Sequence, residues 1–271
     1  MATLHQLQSY TDDLLQTDQF QDYCPNGLQV QGKAAVKTLI TGVTACQALI
    51  DAALEARADA VLVHHGYFWK GEDPCITGVK KQRVQALLQA DVSLLAYHLP
   101  LDAHPTLGNN AQLAERLALR INNSFGVGKG PDIGLHGQLP HAMTAQALCQ
   151  HIEQQLGRAP LHIGPFGKGP LGKDPAGKSA AQSGEGSEIR SIAWCSGAAQ
   201  GYIEAAAALG VDAYLTGEIS EQTVHMAREL GLHFFSAGHH ATERYGVQAL
   251  GRHLAQHFDL QHHFIDIDNP V

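Results

Sequence analysis

The sequence predicts a two-lobed α/β fold made of pseudo-duplicated β-α-β layers. Three observations point to it. Short apolar runs alternate with segments of helical period, the pattern of parallel β-α-β units. The same order of elements occurs twice in the 271-residue chain, once on each side of residues 126–188. The tripeptide Ala58-Asp59-Ala60 matches Val211-Asp212-Ala213 in place and character.

In the first half, residues 36–42 form a buried strand with almost unbroken apolar character, as expected of a strand covered on both faces. A helix over about 45–56 follows, then a strand over 58–63. A helix near 82–89 leads to a third strand over 92–97, and a further helix lies near 110–119. The second half repeats this order. It has a strand over 189–197, a helix over about 199–209 and a strand over 211–216. A helix over about 221–230, a strand over 233–237 and a helix near 245–256 follow. Between the halves, residues 134–140 read as a strand and residues 144–156 as a helix with Thr144 at its N-cap. Residues 160–163 read as a short strand. Residues 164–188 are rich in Gly, Lys, Ser and Pro and read as a long flexible loop; their Gly-Lys pairs do not make a G-x-x-x-x-G-K-[ST] phosphate loop. The expected division is 1–125, 126–188 and 189–271.

Composition narrows the function classes. Hydrophobic residues make up 44% and charged residues 16%, which fits a soluble globular protein. Lys plus Arg number 18 against 26 Asp plus Glu, so the formal charge of -8 disfavours nucleic acid and anionic membranes as partners. No apolar run reaches the length of a membrane span, and the N-terminal residues lack the pattern of a signal peptide. The five cysteines are scattered, without C-x-x-C, and read as reduced thiols of a cytoplasmic protein.

Three strands end in metal-ligand chemistry. His64-His65 closes one, His98 with Asp102 follows another, and His239 with Glu243 follows a third. Functional residues of such sheets collect beyond the carboxyl ends of the strands, and a pseudo-symmetric pair of halves places the site in the cleft between them. Neighbouring histidines point to opposite sides of an ideal strand. A bend at Gly66 would turn both rings to one place, each serving one ion of a pair. His239 and Glu243 share a helical face if Gly238 opens a helix. On the register of the repeat, His65 corresponds to Glu218. Each motif alone has an ordinary reading as a core histidine pair, an N-cap or a helical pair. Their recurrence at three strand ends points to a divalent transition metal, and to two ions. Gly42 and Gly197 do not open a G-x-G-x-x-G, Pro25-Asn26-Gly27 is a turn, and Tyr67, Phe68 and Trp69, which could stack on a base, read first as an exposed rim or a subunit contact. His5, His141, His151, His253, His257, His262 and His263 read as surface residues.

Four segments then carry a resemblance. They are Asp22-Tyr23-Cys24-Pro25-Asn26-Gly27-Leu28-Gln29-Val30, Val63-His64-His65-Gly66, His98-Leu99-Pro100-Leu101-Asp102 and Gly238-His239-His240-Ala241-Thr242-Glu243. They resemble the motifs of the type 2 GTP cyclohydrolase I homologue (NIF-three-like) family along nearly the whole chain; residues 164–188 look like an insertion. The resemblance implies the NIF-three-like fold, a dinuclear metal centre and a toroidal homohexamer. It implies His64, His65, Asp102, His239 and Glu243 as ligands, with Asp102 or Glu243 bridging. His98 fits the duplication and reads as a supporting residue that orients a ligand or a metal-bound water; no catalytic residue is fixed, His98 and Glu218 are the candidates, and Glu218 and His225 are read as lining the cavity. Zinc, iron, manganese and nickel all suit these donors.

Two functions follow. The first is a metal-dependent hydrolase acting on a nucleotide or related small molecule; the family name suggests opening of the purine ring of GTP. The alternative is a non-enzymatic metal-binding, adaptor or regulatory protein.

Overall fold

The computed structural model describes residues 2–128, 130–165 and 188–271. The loop expected over 164–188 lies, but for its ends, outside the described residues. The chain forms two compact units, both discontinuous in sequence. Unit 1 is Met1–Asn109 with Arg244–Asp268, and unit 2 is Asn110–Glu243 with Asn269–Val271.

Unit 1 contains β1 (Ala2–Thr3), α1 (Leu4–Leu15), β2 (Gly27–Val30), β3 (Ala35–Val36), β4 (Thr38–Thr44), α2 (Gln47–Glu55), β5 (Ala60–His65), α3 (Gly78–Gln89), β6 (Ser93–Ala96) and α4 (Leu99–Ala103). Then come α5 (Asn109–Arg116), β7 (Arg120–Phe125), β8 (Gly134–Met143), α6 (Ala145–Leu156), β9 (Leu161–Ile163), β10 (Ile189–Cys195), α7 (Ile203–Ala208), β11 (Ala213–Thr216), α8 (Glu221–Glu229) and β12 (His233–Ser236). Helix α9 (His239–Phe258) starts in unit 2 and ends in unit 1, where β13 (Gln261–Phe264) follows.

The unit 1 sheet has the order β13-β4-β5-β6-β2. Its first four strands are parallel and β2 is an antiparallel edge. Alternate residues feed two apolar cores. Leu39, Leu62 and Leu95 face Leu4 and Leu7 of α1 and Leu250 and Leu254 of α9. Ile40, Val61 and Leu94 face Leu49 and Ile50 of α2 and Leu87 of α3. This period-two split explains why these strands read as continuous apolar runs.

The unit 2 sheet has the order β7-β8-β10-β11-β12-β9. Its centre β10-β11-β12 is parallel, as the repeat predicts, and β8 and β9 are antiparallel neighbours on either side. Strands β8 and β9, both within the segment expected at 126–188, are therefore part of the second sheet. Thr144 caps α6 as expected, its hydroxyl accepting the Ala147 N–H at 3.2 Å.

The sequence reading differs from the structure in several places. The helix near 245–256 is the later part of α9, which begins at His239. The helix over 199–209 is a short 3-10 turn followed by α7. The sequence reading did not include strands β2, β7 and β13 or helix α1, although Leu4, Leu7 and Leu15 of α1 are buried at helical spacing. His262 is not a surface residue. It is half-buried with Nε2 2.8 Å from the Thr41 hydroxyl, and burial, then the charge of Arg252 and His263, pulls its pKa to about 4. His253 likewise meets the Tyr10 hydroxyl at 2.8 Å. Among the described residues, no helix is long and apolar enough to cross a membrane.

Candidate metal centre

In unit 1 three imidazoles converge where β5 and β6 end. The β5–β6 ladder stops at the Val63–Ala96 pair. Beyond it β5 continues through His64 and His65, while the other chain leaves through Tyr97 into α4. The two rings lie beside each other at the strand end, with centroids 4.6 Å apart. His98 stands 5.0 Å from the His64 ring and 5.7 Å from the His65 ring. One ligand atom of each lies within 4.8 Å of the others, a spacing that could hold an ion.

Each ring is held through Nδ1. The His64 Nδ1 donates to the Tyr97 carbonyl at 2.9 Å. His98 Nδ1 donates to Asp22 Oδ1 at 2.7 Å, and the Thr44 hydroxyl lies 3.1 Å from His65 Nδ1. A carbonyl and a carboxylate only accept, so His64 and His98 each donate from Nδ1, and Nε2 is the nitrogen left to present a lone pair when the ring is neutral. Asp102 sits on α4, with Oδ1 3.5 Å from His64 Nε2. Asn109, fully buried, donates from Nδ2 to that same oxygen at 2.9 Å, and its Oδ1 accepts the Gly246 N–H of α9 at 2.9 Å.

The side chain of Asp22 is almost fully covered and satisfies four donors. Oδ1 accepts from His98 and from the Tyr23 N–H, and Oδ2 accepts from Asn26 Nδ2 and the Leu99 N–H. Burial alone would raise its pKa; the hydrogen bond and charge of His98, helped by the other donors, hold it below the usual carboxylate range. Cys24 is buried beside this pair. Burial, then the Asp22 charge, pushes its thiol up to about 12, so it stays protonated.

In unit 2, α9 begins at His239 as soon as β12 has ended. His239 Nδ1 lies 2.7 Å from Glu218 Oε1, and Nε2 lies 3.1 Å from Glu243 Oε2 one turn along the helix. Burial disfavours the charged ring, but the hydrogen bonds and charges of Glu243 and Glu218 outweigh it and raise the pKa to about 9. Gly197 follows β10 with φ +67, and a Cβ there would collide with Glu243 Oε1. The glycine therefore makes the space that the carboxylate fills.

The structure thus brings His64, His65, His98 and Asp102 together in unit 1, and Glu218, His239 and Glu243 together in unit 2. His225 is placed elsewhere: it pairs with Glu221 at 3.1 Å on the exposed side of α8, where residues four apart meet. Tyr67 is not an exposed rim residue, since it is buried and donates its hydroxyl to the Ala45 carbonyl at 2.7 Å. Trp69 is half-buried, with its ring 5.0 Å from that of His98. Sequence reasoning missed the roles of Asp22, Asn26 and Asn109. The signals for the first two were an Asp and an Asn around a turn, which is also what an ordinary turn requires, and their place in the first of the four resembling segments, which named no role for them.

The Duf34/NIF3 (NGG1p interacting factor 3) family matches residues 2–270 of the chain. A protein of Pseudomonas aeruginosa named GTP cyclohydrolase 1 type 2 homolog is 53% identical over 260 residues, covering 96% of this chain and 95% of that protein. A protein of the same name from Allochromatium vinosum is 51% identical over 271 residues, covering 100% and 98%. The solved structure of protein ybgI, described as of unknown function, matches with a TM-score of 0.88 at 46% identity, covering 99% of this chain and 100% of that one.

Proposed function

The chain belongs to the Duf34/NIF3 family, and on that premise we propose that it is a dinuclear metal-binding protein that hydrolyses a nucleotide or related small molecule. His64, His65 and Asp102 with His239 and Glu243 are the residues that would hold two divalent cations, zinc, iron, manganese or nickel. One observation supports this most. His64 and His239 each spend Nδ1 on a protein acceptor, the Tyr97 carbonyl and Glu218, and each turns Nε2 toward a carboxylate, Asp102 and Glu243. Metal-binding histidines are held in this way. The donor chemistry therefore fits a transition metal.

The cations would supply Lewis acidity and lower the pKa of water at neutral pH. The protein residues do the positioning. Tyr97 fixes the His64 tautomer, Asn109 orients Asp102 by occupying one lone pair of Oδ1, and Glu218 holds His239 against Glu243. The names of the relatives make guanine nucleotides the first substrates to try. The proposed assembly is a toroidal homohexamer, and the proposed compartment is the cytoplasm, in keeping with five free cysteines.

Elemental analysis of metal-loaded protein, followed by turnover of a nucleotide and phosphoester panel, tests the reading. Two cations per chain and turnover that vanishes in a His64→Ala, Asp102→Ala double variant are expected. Equal rates for that variant and the wild type would overturn the hydrolase. Two cations with no turnover across the panel would favour the non-enzymatic metal-binding role instead.

A further inference from the structure

We propose that Trp69 and Tyr23, two aromatic side chains that border His98, bind the planar heteroaromatic ring of a substrate by stacking. The proposal deepens the reading above and rests on it for the place of the reacting centre. It names a flat ring as the part of the substrate that the protein grips.

Position comes first. The Trp69 ring lies 5.0 Å from that of His98 at 84° and 5.9 Å from that of His65 at 53°. Tyr23 borders the same His98 imidazole, 6.4 Å away at 65°. The two aromatics come from separate loops, joined by a hydrogen bond of 2.6 Å from the Lys70 N–H to the Tyr23 carbonyl. Exposure comes second. Tyr67 and Phe68 pack into the apolar core beside α2 and α3. Trp69, next in the chain, is only half-buried, and Tyr23 is 62% exposed. Both rings thus keep surface for a ligand beside the imidazoles.

Rigidity comes third. The indole N–H donates to the Gly66 carbonyl at 3.1 Å, and the Trp69 backbone N–H donates to Glu72 Oε2 at 3.0 Å. Lys80 holds Glu72 in turn at 2.8 Å. The Gln29 side chain of β2 accepts the Tyr67 N–H at 2.7 Å and donates to the Tyr67 carbonyl at 3.1 Å. Between these anchors Phe68 sits at φ +66, a conformation rare for a large side chain. Such strain persists where the surroundings hold it, and it collects at ligand-binding segments. A loop held in this way loses little freedom when a ligand arrives. The indole N–H is already used inside the loop, so Trp69 offers a ligand its π face. That selects a flat ring and is indifferent to the sugar or phosphate attached to it.

The experiment uses the full chain loaded with zinc, titrated with GMP, AMP and CMP and with ribose 5-phosphate, which carries the sugar and phosphate without a base. Saturable quenching of tryptophan emission by at least one nucleotide, and none by ribose 5-phosphate, is expected. By calorimetry, Trp69→Leu should weaken that nucleotide by about 5- to 150-fold. Trp69→Tyr should stay close to the wild type, and Tyr23→Ala should lose less than Trp69→Leu. The remaining tryptophan, Trp194, is fully buried in unit 2. Its emission and the zinc content should be unchanged in Trp69→Leu, which separates lost stacking from lost folding. The proposal is overturned if no nucleotide binds, if ribose 5-phosphate binds as tightly as the nucleotides, or if Trp69→Leu binds them like the wild type. A Trp69→Leu protein altered only in oligomeric mass would also overturn it, since that marks a subunit contact. Nucleotide binding that Trp69→Leu removes, without turnover by the wild type, would keep this inference and sink the hydrolase. Turnover undiminished in Trp69→Leu would keep the hydrolase and sink this inference.

Discussion

In unit 1, β4 and β5 align Leu39 with Ala60, and β6 aligns Ser93 with the same alanine; in unit 2, Ile192, Ala213 and His233 stand in the same relation. The amino ends of the two sheets are close copies. Asp59 Oδ2 accepts the N–H groups of Lys37 and Thr38 at 2.7 and 2.9 Å, and Asp212 Oδ2 accepts those of Arg190 and Ser191 at 3.1 and 3.0 Å. The carboxyl ends diverge. Where β5 ends in His64 and His65, the equivalent positions after β11 are Gly217 and Glu218. A Cβ on Gly217 would lie 2.7 Å from the Gly197 oxygen and from the His239 Cα, so no side chain fits where unit 1 carries an imidazole. Counting on from Ser93 and His233, His98 falls opposite Gly238, not His239. The matching four-residue spacings of His98–Asp102 and His239–Glu243 are therefore offset by one residue. The duplication governs the hydrogen-bonded end of each sheet and leaves the donor end free to differ.

Four predictions sharpen or break this contrast. The largest effect belongs to Asp102→Asn and Glu243→Gln, one in each unit. Each should weaken metal binding, read by competition with a chelator, by more than the roughly 10- to 100-fold typical of an outer partner. A variant that binds like the wild type would remove its unit from the donor set. Next, Gly217→Ala should cost about 1–3 kcal/mol in urea unfolding through the forced shift of backbone; a neutral result would mean that the donor ends are more alike than they look.

Asp59→Asn and Asp212→Asn test the copied end, each costing about 2 kcal/mol near neutral pH through lost charge-assisted hydrogen bonds. For Asp59, burial is outweighed by Lys33 and the two backbone N–H groups, so its pKa lies below the ordinary 3.8. A depressed carboxylate contributes its stability in full above the ordinary value and loses it as the pH falls through the folded value. The gap between wild type and Asp59→Asn should therefore close below about pH 3.8 and stay constant above about pH 5; a gap that widens in acid would refute the assignment. The smallest effect is expected from the helix caps. Thr3→Ala in unit 1 and Thr144→Ala in unit 2 should each lower the midpoint of unfolding by an amount equivalent to about 1 kcal/mol.

The legible part of this protein is the part set by local pattern. The parallel strands, the helices between them and the Thr144 cap follow from apolar period and hydrogen-bonding side chains, which act over a few residues. His64, His65, Asp102, His239 and Glu243 could be singled out because they follow apolar strands. The pairing of His98 with Asp22 could not, since the two are 76 positions apart. The same holds for Asn109, whose link to Gly246 spans 137 positions. A turn-forming Asp and Asn look the same in a sequence whether or not an imidazole donates to them.

The order of strands and helices, the repeated core and the types of donor were written in the chain itself, because burial and backbone hydrogen bonding reward a local period. The fold alone decided that β8 and β9 flank the second sheet, that one carboxylate holds both His98 and the start of α4, and that a glycine leaves room for Glu243. Each of these depends on which distant atoms share a few ångströms of space, and packing in three dimensions sets that.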